Sequence, residues 1–388
     1  MKSPIATAIL GVATALGTCG LAPGDRPKPR PSLTAIERQE LIARLREQYA
    51  KSPSEWPAPT VDDGVDWEEL GPLPEVVHPA DNPGTPEKIK LGKQLFFEPR
   101  VSGSGQIACA SCHDPDLGWA DGRTVSFGHN RKQLKRNAPS VLHSAFRKVF
   151  FWDGRAESLE DQAEQVLNNP DEMHSEGAVV VENLAGIPEY VEAFEAVFGE
   201  GGLTRENAVM AIAAFERTVV GGRTKFDFFL DGRVGALTDE ALAGLHLYRT
   251  TARCMNCHHG PLLTDDKFHN LGMTHYGRRF EDLGRYLITN DPADVGAFRT
   301  PSLRDVGNSA PYMHNGMLTL DEALVLYNAG MRTERPRKAE KDDPLFPKKS
   351  PLLKPLGLNE QDFIDLKAFL GSMSEPRIRV DPPPLPGL

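Results

Sequence analysis

The feature that most constrains this chain is a five-residue pattern that occurs twice, as Cys109-Ala110-Ser111-Cys112-His113 and as Cys254-Met255-Asn256-Cys257-His258. Two thiols at this spacing can each bond one vinyl group of a single haem, and the histidine that follows then swings under the ring as an axial iron ligand. The pattern predicts two covalently bound c-type haems, attached through Cys109, Cys112, Cys254 and Cys257, with His113 and His258 on the irons. Structural disulfides and a zinc site built from both cysteine pairs are the competing readings. Zinc ribbons usually place their pairs much closer together, and disulfides give no reason for a histidine after each pair.

At 388 residues the chain exceeds what one core usually serves, so two domains are expected. A 40% hydrophobic and 25% charged composition is ordinary for a globular protein, while 32 prolines and 35 glycines point to long connections. A formal charge of −10 argues against a nucleic-acid partner. Beyond the first twenty-odd residues no stretch is apolar for long enough to span a bilayer. Residues 1–21, with Lys2, an apolar run and then small residues, read as a secretory signal, which implies export to a periplasm. Cys19 is either removed with that signal or carries a lipid anchor; Thr18 before it makes an imperfect lipobox.

Residues 22–79 read as a proline-rich arm carrying one helix, Thr34 to Tyr49, opened by the capping box Thr34-x-x-Glu37 and lying outside either core. Helical spacing and caps recur at Pro86–Phe97, Ser158–Asn168, Pro188–Phe198, Thr204–Val220, Thr238–Thr251, Thr319–Tyr327 and Asn359–Met373. No alternating run competes with them. A helix followed by C-x-x-C-H occurs twice, which reads as a duplicated module spanning 80–235 and 236–375, with a tail at 376–388. The charged stretch Arg332 to Lys349 reads as a solvated loop. The predicted fold is mainly α: two cytochrome c-like haem domains with long loops and few or no strands.

Further segments carry a family likeness: Ser126-Phe127-Gly128-His129, Arg136-Asn137-Ala138-Pro139-Ser140, Phe151-Trp152-Asp153-Gly154-Arg155, Arg299-Thr300-Pro301-Ser302-Leu303-Arg304 and Pro311-Tyr312-Met313-His314-Asn315-Gly316. In order and approximate spacing the chain resembles the bacterial dihaem cytochrome c peroxidase and MauG family over roughly residues 80 to 375.

The resemblance implies that the haem on His113 is peroxidatic and that the haem on His258 relays electrons. It places Trp152 between the haems, and Gln162 and Glu172 in the distal pocket, with Glu172 as the general acid/base that carries a proton between the two peroxide oxygens. It makes His129 a loop histidine that caps the peroxidatic iron and departs on activation. Asn137, Ser309 and Pro311 match a calcium site supplied by oxygen donors. Taken alone, these residues read as a core tryptophan, solvated polar groups and an exposed loop histidine.

One position departs from the peroxidase pattern. Tyr327 stands where the relay haem of the peroxidases takes a methionine, as it does in the MauG branch; the alternative is a core tyrosine with Met331 or Met317 as ligand. The expected activity is reduction of hydrogen peroxide to water with electrons from a small redox protein, a cytochrome c or cupredoxin. Two alternatives stay open: MauG-like oxidation of tryptophan or other side chains on a protein substrate, and a non-catalytic dihaem electron carrier.

Overall fold

The computed structural model describes residues 28–376 and 380–387; the signal read at 1–21 and Cys19 lie outside them. The helices in chain order are α1 (Ala35–Tyr49), α2 (Pro86–Phe97), α3 (Leu159–Asn168), α4 (Val179–Leu184), α5 (Pro188–Phe198), α6 (Arg205–Glu216) and α7 (Lys225–Leu230). They continue with α8 (Asp239–Arg249), α9 (Tyr286–Thr289), α10 (Leu320–Asn328) and α11 (Glu360–Ser372). The strands β1 (Phe268–Asn270) and β2 (Ala297–Arg299) pair antiparallel as a two-stranded ribbon. The fold is thus mainly α, with long irregular connections.

The caps act where their side chains predict. Thr34 with Glu37, Thr319 with Glu322 and Asn359 with Asp362 form reciprocal capping boxes, and Pro86 opens α2 behind the Thr85 cap. Helix α6 stops at Glu216, short of the expected Val220. Beyond it the β-branched run Thr218-Val219-Val220 meets Gly221, and Val219 turns into the aromatic core around Phe96 instead of continuing the helix. Helices α4 and α7, six residues each, are too short for periodicity to reveal.

The duplication is physical. In the first module α2 crosses α6 so closely that a Cβ on Gly92 would stand 1.9 Å from the Ala211 carbonyl oxygen and 2.9 Å from Phe215 Cβ. In the second, α8 crosses α11, where a Cβ on Gly244 would stand 2.0 Å from the Asp365 carbonyl oxygen and 2.8 Å from Phe369 Cβ. One turn after each glycine an aromatic ring meets that phenylalanine edge-on: Phe96 on Phe215 at 5.3 Å and Tyr248 on Phe369 at 5.2 Å. A helix crossing, a ring pair and then a C-x-x-C-H turn are built twice from different residues.

The leader corrects one expectation. Rather than standing outside the cores as an arm, α1 buries Ile42, Leu45 and Tyr49 in the same cluster as Leu242, Leu245, Phe369 and Leu370. Arg30 and Arg38 fasten it by bidentate pairs to Asp362 and Asp365, with closest contacts of 2.7 and 2.8 Å. The sequence shows α1 as an amphipathic helix, but nothing local in it names the core that its apolar face meets. No helix among the described residues is long and apolar enough to cross a membrane.

Two substitutions test this packing. Gly244→Ala is expected to lower unfolding stability by about 1–3 kcal/mol through overpacking, and Leu45→Ala by about 2–5 kcal/mol through an apolar cavity. Urea denaturation followed by far-UV circular dichroism measures both.

Candidate active site

Each C-x-x-C-H segment folds into one tight helical turn. The amides of Cys112 and His113 both donate to the Cys109 carbonyl at 3.1 and 3.0 Å, and those of Cys257 and His258 to the Cys254 carbonyl at 3.2 and 2.8 Å. The imidazoles are oriented alike: His113 Nδ1 lies 3.2 Å from the Trp119 carbonyl and His258 Nδ1 lies 3.1 Å from the Leu263 carbonyl. A carbonyl only accepts, so Nδ1 carries the hydrogen and Nε2 keeps its lone pair for a metal. Both accepting residues hold left-handed backbone, at φ 59° for Trp119 and 52° for Leu263, an uncommon cost for non-glycine residues. Burial pushes the His258 pKa down to about 4 and lowers that of His113, which keeps both rings neutral.

The competing cysteine readings find no support. No disulfide joins any of these four cysteines, and the metal-ligating cluster found among the described residues joins Cys257 to Asp265 and His269 rather than cysteine to cysteine.

A cavity of about 230 Å³ opens on the second motif, lined by Cys254, Cys257 and His258 together with Tyr327, Met313 and Trp152. Tyr327 projects from α10, and burial beside Cys257 and Cys254 pushes its phenol well above the usual range. Met331, 1% exposed, packs into a neighbouring core, and Met317 is 41% exposed; neither lines the cavity, whereas Met313 does. Arg147 and Arg299 also face this space. Burial and the neighbouring Arg299 bring the Arg147 pKa down to about 9, and its Nε is buried without a partner. Arg299 is paired with Asp266 at 3.1 Å, whereas the unpartnered Nε of Arg147 leaves room for a further anionic group, which haem propionates would provide. The neutral Nε2, the paired sulfurs and these cations therefore suit a haem.

Trp152 sits where the modules meet. Its indole donates to the Asn137 carbonyl at 2.9 Å, its own carbonyl accepts the Arg299 amide of β2 at 2.8 Å, and its ring stands edge-on to His314 at 6.4 Å. His314, which sequence reasoning quoted without a role, stacks on Phe298 at 3.6 Å. Arg136 closes the junction by pairing with Asp153 at 2.6 Å and Asp282 at 2.7 Å. Asn137, Ser309 and Pro311 line the same cavity from this side.

Around the first motif the 126–129 and 169–174 loops close on one another. The His129 amide donates to the carbonyls of Glu172 at 2.8 Å and Asp171 at 3.1 Å. Ser126 Oγ is buried with no hydrogen-bond partner among the described residues, and Glu172 lies near enough to the Cys112 thiol to act on it through its charge. Burial raises the Glu172 pKa. His129 Nδ1 is buried without a partner, and its ring lies 4.3 Å from that of His174. Gln162 occupies the first turn of α3; no hydrogen bond among the described residues joins its side chain to Glu172.

Sequence reasoning missed His174 and Glu216. The first stands two positions after Glu172, a spacing that places it on the same loop. The second is a buried carboxyl on α6 near Cys109, pushed up to about 8 by burial. Its position on an otherwise apolar helix face was the available signal.

Comparison with known proteins agrees with this geometry. The family model described as di-haem cytochrome c peroxidase matches residues 86–235. Cytochrome-c peroxidase IdrP1 of Denitromonas iodatirespirans is 42% identical over 350 residues, covering 82% of this chain and 90% of that protein. Methylamine utilization protein MauG of Methylorubrum extorquens is 39% identical over 314 residues, covering 80% and 85%. The crystal structure of a MauG-like protein associated with microbial copper homeostasis superposes with a TM-score of 0.70 at 32% identity, covering 79% and 95%. The chain belongs to the dihaem cytochrome c peroxidase and MauG family and is a peroxide-utilising oxidoreductase with haem cofactors.

Gly128 gives a test of the loop closure. A Cβ there would stand 2.0 Å from the Asp171 carbonyl oxygen and 2.8 Å from Glu172 Cα. Gly128→Ala is expected to separate the two loops and change the spin state of the first haem by EPR, leaving the second haem's signal intact.

Proposed function

We propose that this is an exported dihaem c-type peroxidase that reduces hydrogen peroxide at the His113 haem, with electrons relayed from a protein donor through the His258 haem and Trp152. Both haems are held covalently, by Cys109 and Cys112 and by Cys254 and Cys257. The observation that carries the reading is the inequality of the two sites. The His258 cavity holds a phenol, Tyr327, facing the motif, whereas the His113 site is bordered by a desolvated carboxylate and a loop histidine. Haem supplies an iron that takes peroxide as a ligand and passes electrons one at a time.

The chain's own residues manage the protons. Reduction of one peroxide to two waters takes up two electrons and two protons, and one proton must also pass from the attacking oxygen to the departing one. Glu172 is the general acid/base for that transfer, since burial brings its pKa closer to neutrality than that of a solvated glutamate. Gln162 orients the bound oxygen from α3. His129 caps the site at rest and leaves by opening of the 126–129 loop.

Asn137, Ser309 and Pro311 form a calcium site at the module junction. Its support is the Asn137 amide: Nδ2 donates to the Arg123 carbonyl at 2.8 Å, which leaves Oδ1 as a buried oxygen donor. Calcium there would brace the Asn137 carbonyl that holds Trp152. The signal read at residues 1–21 supports a periplasmic location. The donor is a small redox protein, a cytochrome c or cupredoxin.

Tyr327 favours a second reading, MauG-like oxidation of side chains on a partner protein. A phenolic oxygen stabilises higher iron oxidation states than a thioether does.

Stopped-flow absorbance tests the first reading. Glu172→Gln is expected to slow peroxide reduction about 10²–10⁴-fold with resting haem spectra unchanged. Because the base must be ionised and its pKa is raised, the wild-type rate should fall with decreasing pH through a midpoint above the ordinary glutamate range. For the second reading, Tyr327→Met is expected to raise the second haem's reduction potential in spectroelectrochemistry; an unchanged potential would remove Tyr327 as ligand.

A further inference from the structure

The segment from α1 to residue 57 carries oxidisable side chains that the electron route through Trp152 does not use. Met255, fully buried inside the second C-x-x-C-H turn, places its sulfur 3.7 Å from Arg249 Nη1. The Arg249 guanidinium lies over the Trp56 ring at 5.3 Å, and Trp56 meets Tyr49 edge-on at 5.1 Å. The Tyr49 hydroxyl is 3.1 Å from His246 Nδ1. Contacts thus run from Met255 in the relay motif through the Arg249 guanidinium to two redox-active rings, Trp56 and then Tyr49 on the leader helix. Trp56 is 7% and Tyr49 2% exposed.

We propose that Trp56 and Tyr49 form a side relay that supplies an electron to the His258 haem when no donor is docked, with Tyr49 as its end point and His246 as the acceptor of the phenolic proton. This rests on the peroxidase reading, because hydrogen peroxide acting at the His113 haem is the oxidant. Tyr49 loses one electron and one proton. The electron passes through Trp56 to the haem pair, which is reduced by one equivalent. The proton crosses the existing hydrogen bond: the Tyr49 O–H bond breaks and an N–H bond forms at His246 Nδ1.

Charge decides where the oxidation comes to rest. A hole on Trp56 would be a cation beneath the Arg249 guanidinium, which Glu69 neutralises only in part from its side of the pair. A hole on Tyr49 becomes a neutral radical as the proton leaves. The hydrogen-bond partner of the Tyr49 hydroxyl is His246 Nδ1, at 3.1 Å, which gives the phenolic proton its acceptor. Burial and Arg249 keep that imidazole neutral, with a pKa near 4, and able to accept. Enclosure protects the radical from solvent.

The test adds peroxide, without donor, to the holoprotein carrying both haems, and freezes samples for EPR. Wild type should show a tyrosyl signal that Tyr49→Phe abolishes and Trp56→Phe reduces several-fold. Phe at position 49 keeps the ring and loses only the hydroxyl, so its haem spectra and donor-supported turnover should match wild type. His246→Gln, which leaves Tyr49 in place without its base, should also weaken the signal. With repeated peroxide and no donor, Tyr49→Phe should lose haem absorbance several-fold faster. Peroxide consumption with no tyrosyl signal, or with one that survives Tyr49→Phe, overturns the relay alone. A holoprotein that consumes no peroxide overturns the relay and the peroxidase reading together.

Discussion

The close approach of two helix backbones in each module, where Gly92 of α2 meets α6 and Gly244 of α8 meets α11, is the constraint from which the haem sites follow. It permits the next aromatic residue to reach the partner helix, and that ring then reaches the motif. Phe96 touches Trp119 edge-on at 5.8 Å, and the Trp119 carbonyl holds His113. Tyr248 is more direct: its hydroxyl donates to the His258 carbonyl at 2.5 Å. Helix packing is transmitted in both cases to an imidazole whose donor position is spent, which leaves Nε2 to the metal. The left-handed backbone at Trp119 and Leu263 costs stability that the surrounding packing offsets.

From this shared frame the sites diverge through what faces the iron side. The cavity at the second motif is framed by α10, the 297–314 segment and Trp152, and its lining includes the Tyr327 phenol and the Arg147 and Arg299 guanidiniums. The first is bordered by loops that hold each other through backbone hydrogen bonds, with a carboxylate of raised pKa beside Cys112. Rigid elements around one haem suit fixed ligation and electron transfer. Loops around the other suit a ligand that leaves.

Local signals were legible: the two motifs, the capping boxes and most helices stand at the expected residues because caps and helical periodicity are short-range. What the sequence hid is long-range. The docking of α1 depends on Arg30 and Arg38 meeting Asp362 and Asp365 more than three hundred residues away, and isolated charges do not name their partners. Strands of three residues, Phe268–Asn270 and Ala297–Arg299, are too short for alternation to show. His174 and Glu216 gain meaning only from what they lie against. Tyr327 was the informative exception, since one substitution within a recognisable helix pointed to the cavity it lines.

The proposed division of labour requires the His113 haem to open to small ligands and the His258 haem to stay closed to them. Titrating the reduced-and-reoxidised holoprotein with cyanide, followed by EPR that resolves the two irons, addresses it directly. Cyanide is expected on the His113 haem alone, with the His258 haem unchanged at saturation. Binding at the His258 haem, or at neither, would contradict it.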